Sequence, residues 1–228
     1  MNVEMIDKET LNLLKNKKNI VGLSGGKDSV ATCILLHHLD ISFETATAEV
    51  WWKKDISGEN PLHYEFMHEK LFPKLNSWGV KTHILKSQVT AFDWMTTPIK
   101  ASREHPERNG KLRGFPLCGK CGIQRDCKTN VCNRFYKSIS DPYNAILGLA
   151  SNEKDRVLSA NNKNLIPLLS LLGIHEIQTY SICNSENLLS PTYTYSNRGG
   201  CWFCPNQKIQ EWSLLYERFP HLCKRMRR

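Results

Sequence analysis

Val21-Gly22-Leu23-Ser24-Gly25-Gly26-Lys27-Asp28-Ser29, near the start of the chain, decides how the rest is read. Asn19-Ile20-Val21-Gly22 reads as a short buried strand, and Val30, Ala31, Ile34, Leu35 and Leu39 then recur at helical spacing. A strand that enters a Ser-Gly-Gly turn and leaves as a helix is suited to holding an anion. Glycines allow close backbone approach, the first N–H groups of the helix are unpaired, and the dipole favours negative charge there. The common phosphate loop of ATPases is excluded, because it needs Gly where Val21 stands and Ser or Thr where Asp28 stands. A plain turn, with Ser24 as cap and Asp28 in an acidic first turn, explains those two residues. It does not explain paired glycines followed by Lys27.

Working outward, Leu11, Leu13 and Leu14 suggest an amphipathic lead-in helix. Phe43 to Trp52 reads as a second strand, buried over Ala46 to Val50, with a turn at Ile56 to Pro61 and a helix from Leu62 to Trp78. Gly79 stops that helix. Val80 to Leu85 alternates as a third strand, Ala91 to Ile99 suggests a short helix, and Asn144 to Leu149 is a fourth strand. Asn164 to Leu172 is apolar around Pro167, and a helical turn begins near Ile174. An amphipathic helix runs through Trp212, Leu215 and Tyr216. Strands alternating with helices imply an α/β fold with an open, mostly parallel sheet flanked by helices, and ligands beyond the carboxyl ends of the strands. The whole chain, 1–228, reads as one domain. A basic, Cys-containing insertion at 100–137 and a carboxyl-terminal segment at 197–228 are its appendages.

Two Cys-x-x-Cys pairs give the second signal: Cys118/Cys121 and Cys201/Cys204. Each pair can turn two sulfurs onto one ion, and together they supply the four soft ligands of zinc or an iron–sulfur cluster. Spacing alone does not choose between the metals. Nearby Lys120, Arg125 and Arg198 would favour thiolates. Cys33 reads as core, and Cys132, Cys183 and Cys223 as outside the ligand set.

Ser24-Gly25-Gly26-Lys27-Asp28-Ser29 resembles the pyrophosphate-binding loop of the PP-loop ATP pyrophosphatase superfamily (adenine nucleotide alpha hydrolase-like). Within it the chain is most similar to the phosphoadenosine phosphosulfate (PAPS) reductase-like family. The resemblance implies that Ser24, Gly25, Gly26, Lys27, Asp28 and Ser29 bind ATP or a phosphorylated adenosine. Lys27 and Asp28 would act in catalysis, and Asp28 and Ser29 would help place Mg²⁺ or the phosphates. Gly148, at the end of the fourth strand, and Arg156, in the following Glu153-Lys154-Asp155-Arg156, look like the family's second nucleotide-binding element. Cys201-Trp202-Phe203-Cys204-Pro205 looks like the second half of the family's [4Fe–4S] motif. The first half departs from the pattern, so Cys127 stands as reserve ligand for Cys118. The tail His221-Leu222-Cys223-Lys224-Arg225 lacks the catalytic cysteine motif of sulfate-reducing members. The implied activity is therefore that of an ATP-pyrophosphatase-type enzyme in sulfur transfer or nucleotide or nucleic-acid modification, served by a sulfur donor protein. A PAPS reductase proper, and a zinc-stabilised nucleic-acid-binding module, are the alternatives.

Composition bounds these readings. The 228 residues suffice for one good core, and no apolar run approaches the ~18 residues of a membrane span. The first residues lack the basic and apolar regions of a signal peptide, so a cytoplasmic location and no membrane partner are expected. Nine cysteines in a reducing compartment point to metal or redox chemistry rather than disulfides. The net charge of +9 suits ATP, a sulfated nucleotide or a nucleic acid. From Lys100 to Lys137 ten Lys and Arg stand against Glu104, Glu107 and Asp126.

Overall fold

Ile20 and Val21 are fully buried and flanked on both sides by parallel partners, which makes β1 (Lys18–Gly22) the axis of the sheet. The computed structural model describes residues 7–226 except 118, 120, 162–164, 197 and 198. After α1 (Lys8–Asn16), β1 leads into α2 (Lys27–His38), whose residues are buried almost throughout its first nine positions. β2 (Glu44–Glu49) pairs with β1, and β5 (Thr82–Lys86) with β2. On the other side stand β6 (Tyr143–Leu147) and β7 (Leu165–Pro167). The order is β5-β2-β1-β6-β7, with every pairing parallel. The direction of strand progression therefore reverses between β1 and β6. An open α/β sheet offers its ligand crevice at that reversal, beyond the carboxyl ends of the strands.

The second strand is shorter than its sequence pattern suggests. β2 ends at Glu49, and the chain turns into a small antiparallel hairpin of β3 (Trp51–Lys53) and β4 (Ile56–Ser57). α3 (61–77) follows, capped by the Asn60 side chain, which accepts from Leu62 N at 3.1 Å. A π-helical stretch, Phe66–Leu71, interrupts α3 just before Pro73, which has no N–H to donate to Glu69. α4 (Ala91–Thr96) ends earlier than the predicted Ile99, because Thr97 precedes Pro98 and is held extended. The chain then doubles back on itself. Ile99 N donates to Lys111 O, Arg113 N to Thr97 O and Gly114 N to Met95 O. The irregular charged stretch is thus a folded-back excursion with backbone pairs along its stem.

α5 (122–137) contains a second π-helical stretch, Arg125–Thr129. Then come α6 (Lys154–Asn161), α7 (Leu168–Leu171), α8 (Glu176–Ser185), α9 (Ile209–Arg218) and α10 (Pro220–Met226). β7 was not expected. Three residues ending in Pro carry little strand signal, and only an edge position tolerates that proline.

Two apolar cores result. One gathers Val21, Leu23, Ile34, Leu35, Phe66, Leu71, Ile146 and Leu168 around α2 and the sheet. The other joins Trp52, Ile123, Cys127, Trp202, Phe203, Leu215 and Leu222, tying the carboxyl-terminal segment to the hairpin and α5. Among the described residues no helix is long and apolar enough to cross a membrane.

Candidate functional site

The 22–29 loop sits at the carboxyl end of β1, beside the sheet reversal. Its cap differs from the simplest reading of the sequence: Gly26, not Ser24, is the N-cap of α2. Ser24 Oγ instead accepts from Gly26 N at 3.3 Å and lies 3.1 Å from Ser29 Oγ, which also takes a bond from Ser24 N. Gly25 adopts φ +71°, and a Cβ there would meet Met67 Sδ at 2.1 Å. No other residue fits both constraints. Gly148 has a comparable reason. A Cβ on it would stand 2.6 Å from the Asp28 carbonyl, so its absence lets β6 close on the start of α2.

Lys27 is only 3% exposed. Its ammonium lies 2.7 Å from Glu176 Oε1 and 3.1 Å from both Asp28 oxygens, with the Tyr180 and Tyr193 rings nearby. Burial pulls its pKa down, but Glu176 and Asp28 more than offset this, so it is raised and the group is cationic. Lys27 itself lowers the pKa of Glu176. The backbone N of Lys27 donates to Tyr193 OH at 3.0 Å, and Thr179 Oγ1 donates to Asp28 at 2.9 Å. α8 and the 190–195 segment thus hold the loop from behind.

A polar cleft of about 290 Å³ opens over this loop. Lys27, Asp28, Glu176, Glu153 and Arg156 contribute to its walls. Arg156 is exposed and held in an ion pair with Glu153, the surface salt bridge that its position also allowed, and it lines the same cleft as Lys27 and Lys128. Beside it a more apolar pocket of about 180 Å³ runs along the ends of β1 and β2, between Leu23, Ala46, Ala48, Tyr64 and Met67. Ser24, Glu59, His63 and Lys128 line both spaces and form their junction.

That junction is a buried polar network. His63 lies 3.0 Å from the Ser24 carbonyl through Nε2 and 3.1 Å from Ser190 Oγ through Nδ1. A carbonyl only accepts, so Nε2 carries the proton. Burial lowers the His63 pKa, so Nδ1 is the acceptor. Glu59 accepts from Val50 N at 3.1 Å and pairs with Lys128 Nζ at 2.7 Å. Burial raises the Glu59 pKa, but Lys128 outweighs it and the net direction is down. Lys128 is correspondingly raised against the pull of burial. Both π-helical stretches serve this place. One carries Met67 and His68 and the other carries Lys128, all three lining the apolar pocket.

The cysteines lie on the same side. Cys118 falls outside the described residues, as do Lys120 and Arg198. Gly119 is described, and its N donates at 3.1 Å to Oδ1 of Asn206, two positions beyond Cys204. Cys121, Cys127 and Cys201 belong to one apolar cluster, and Cys201 feels Cys204 and Cys121 electrostatically. Segment 200–202 is bonded to the turn before α3, through Gly200 O to Asn60 N and Trp202 N to Gly58 O, each 3.0 Å. Among the described residues no group of three His, Cys, Asp or Glu side chains is gathered closely enough to hold a metal. Burial pushes the thiols of Cys201 and Cys127 up. Arg125, expected to favour thiolates, is instead engaged by Asp126 at 2.8 Å, and among the described residues Lys128 acts electrostatically on Cys201. Cys33 is core, as expected.

The structure therefore gathers Ser24, Gly25, Gly26, Lys27, Asp28, Ser29, Gly148 and Arg156 at one end of the sheet. Glu59, His63, Lys128, Glu176 and Tyr193 join them with no local sequence signal. No protein-family model matches the chain, and no curated protein matches it.

Proposed function

We propose that the protein is a PP-loop enzyme of the PAPS reductase-like kind that binds an adenine nucleotide and acts in sulfur transfer or in nucleotide or nucleic-acid modification. The observation that carries this reading is the junction of two unlike spaces at the sheet reversal. An apolar pocket suits a base, and the adjoining polar cleft holds Lys27, Lys128 and Arg156, cations that phosphates would take over from their carboxylate partners Glu176, Glu59 and Glu153. The loop amides and Lys27 hold the pyrophosphate, and fixed dipoles stabilise the charge that develops when ATP is split. Asp28, fixed by Thr179, offers carboxylate oxygens for Mg²⁺.

Cys121, Cys201 and Cys204, with Cys118 or Cys127, are the side chains for a metal centre. Their soft donor set suits an iron–sulfur cluster, with zinc as the alternative. When bound, a cluster would supply a site for sulfur close to the nucleotide. Burial pushes the Cys201 and Cys127 thiols up, and a metal takes thiolates, so loading the centre through either would release a proton. Cys223 packs beside the second apolar cluster, and neither cleft includes it among its lining residues. This favours the ATP-dependent reading over sulfate-type reduction. The setting is cytoplasmic, where such thiols stay reduced.

The test uses anaerobically purified protein. Iron and sulfide content, a visible absorption band and pyrophosphate release from ATP are the expected results. Protein that binds zinc alone, releases no pyrophosphate and binds nucleic acid in a salt-dependent manner would replace this reading with that of a nucleic-acid-binding module.

A further inference from the structure

Glu49 is the last residue of β2 and lines the apolar pocket, yet it is only 6% exposed. Its two oxygens are treated differently. Oε1 is held by His68 Nε2 at 2.6 Å, whereas Oε2 is buried and receives no hydrogen bond. Lys86 Nζ forms an ion pair with Oε2 at 3.6 Å, too long for a hydrogen bond, and also rests over the Trp51 ring. A buried carboxylate oxygen without a donor costs free energy, so a site that keeps one has a use for it.

The use follows from the neighbours. Leu23, Ala46, Ala48 and Met67 make the pocket a slot for a flat apolar body, and Tyr64 lies against His68 with ring centroids 4.2 Å apart. The sugar would fall at the junction with the polar cleft, where Glu59, His63 and Lys128 stand. What reaches Glu49 is then the edge of the base. Oε1 is already engaged, so one acceptor remains and it suits one donor, such as an exocyclic amine. We propose that Glu49 is the specificity-determining residue of this pocket, accepting a hydrogen bond from the amino group of the bound base. The inference rests on the nucleotide reading above.

Calorimetric binding to the intact protein tests it with three ligands: ATP, purine riboside triphosphate, which lacks the 6-amino group, and 2′-deoxyATP. A hydrogen bond to a charged group predicts that loss of the amine weakens binding by about tenfold to a hundredfold. Loss of the 2′-hydroxyl should change little. In Glu49→Ala, ATP and its amine-free analogue should bind within about twofold of each other, and Glu49→Gln, which keeps one acceptor oxygen, should fall between. The comparison of ligands in the unaltered protein needs no variant to fold. Equal binding of ATP and the amine-free analogue overturns the assignment while leaving the nucleotide site intact. So does a loss that follows the 2′-hydroxyl, because Glu49 would then read the sugar. Failure to bind any of the three removes the nucleotide reading and this inference with it.

Discussion

Lys27 shows what sequence reads well at a single residue and what it misses. Its identity, and that of Ser24, Asp28 and Ser29, was legible because a loop motif is local. Its environment was not. Glu176 and Tyr193 lie 149 and 166 positions away and carry no pattern that marks them as partners. Their arrangement makes a prediction. Glu176 is half exposed and occupies the ammonium that a phosphate would use. Glu176→Gln should therefore strengthen binding of a nucleotide triphosphate about two- to fivefold, the range of a partly screened ion pair. Unchanged or weaker binding would show that Glu176 does not compete. The Glu59–Lys128 pair gives a pH test. The folded pKa of Glu59 is lowered from 4.5, so its contribution is present above that value and lost as pH falls through the folded pKa. Lys128 is raised from 10.5, so its share is present below that value and lost only at still higher pH. Thermal melts of the protein and of Glu59→Gln should differ by a constant amount between about pH 5 and 10 and converge in acid. A difference that is already gone at pH 6 would contradict the pairing.

Among the elements, β1, α2, β5 and β6 were legible because their apolar periods are clean and their ends carry glycine or proline. The β3–β4 hairpin and β7 were not. β7 pairs with β6 across a helix and the hairpin pairs locally, but neither has more than three residues in a strand to show a period. The two π-helical stretches escape periodicity altogether, since one added residue per turn leaves no signature in side-chain type. Close packing of β6 against α2 is open to test. Gly148→Ala pushes a methyl group into the Asp28 backbone at 2.6 Å. It should destabilise the protein by about 1–3 kcal/mol, an overpacking cost, and weaken nucleotide binding as the loop shifts. Denaturant unfolding checks the first effect, and an unchanged midpoint would show that the strand yields freely. The excursion after α4 exposes Arg108 and Lys111, while Arg113 rests over Trp94. Neutralising all three should weaken nucleic-acid binding and flatten its salt dependence. A salt-independent affinity would remove nucleic acid as the acceptor.

At the scale of the whole molecule, the second apolar cluster packs Cys121 and Cys201, one from each of two distant Cys-x-x-Cys segments, against the same core. The shared α/β frame was readable from alternation of strands and helices, but this convergence was an argument from topology alone. Trp202 and Phe203, both 1% exposed, anchor the second pair under Trp52, so the cysteines inherit a fixed position from the core. Cys121→Ser and Cys201→Ser should each abolish the same metal signal, whereas Cys33→Ser should leave it intact. Independent losses would mean two sites. The account as a whole depends on the loop at the end of β1 being a phosphate site. Equilibrium binding of ATP with Mg²⁺ to the protein and to Lys27→Ala is the direct measurement. Loss of one charge-assisted contact predicts binding weakened about tenfold to a hundredfold while the protein remains folded. Equal affinity in the two proteins would place the nucleotide elsewhere and contradict the account.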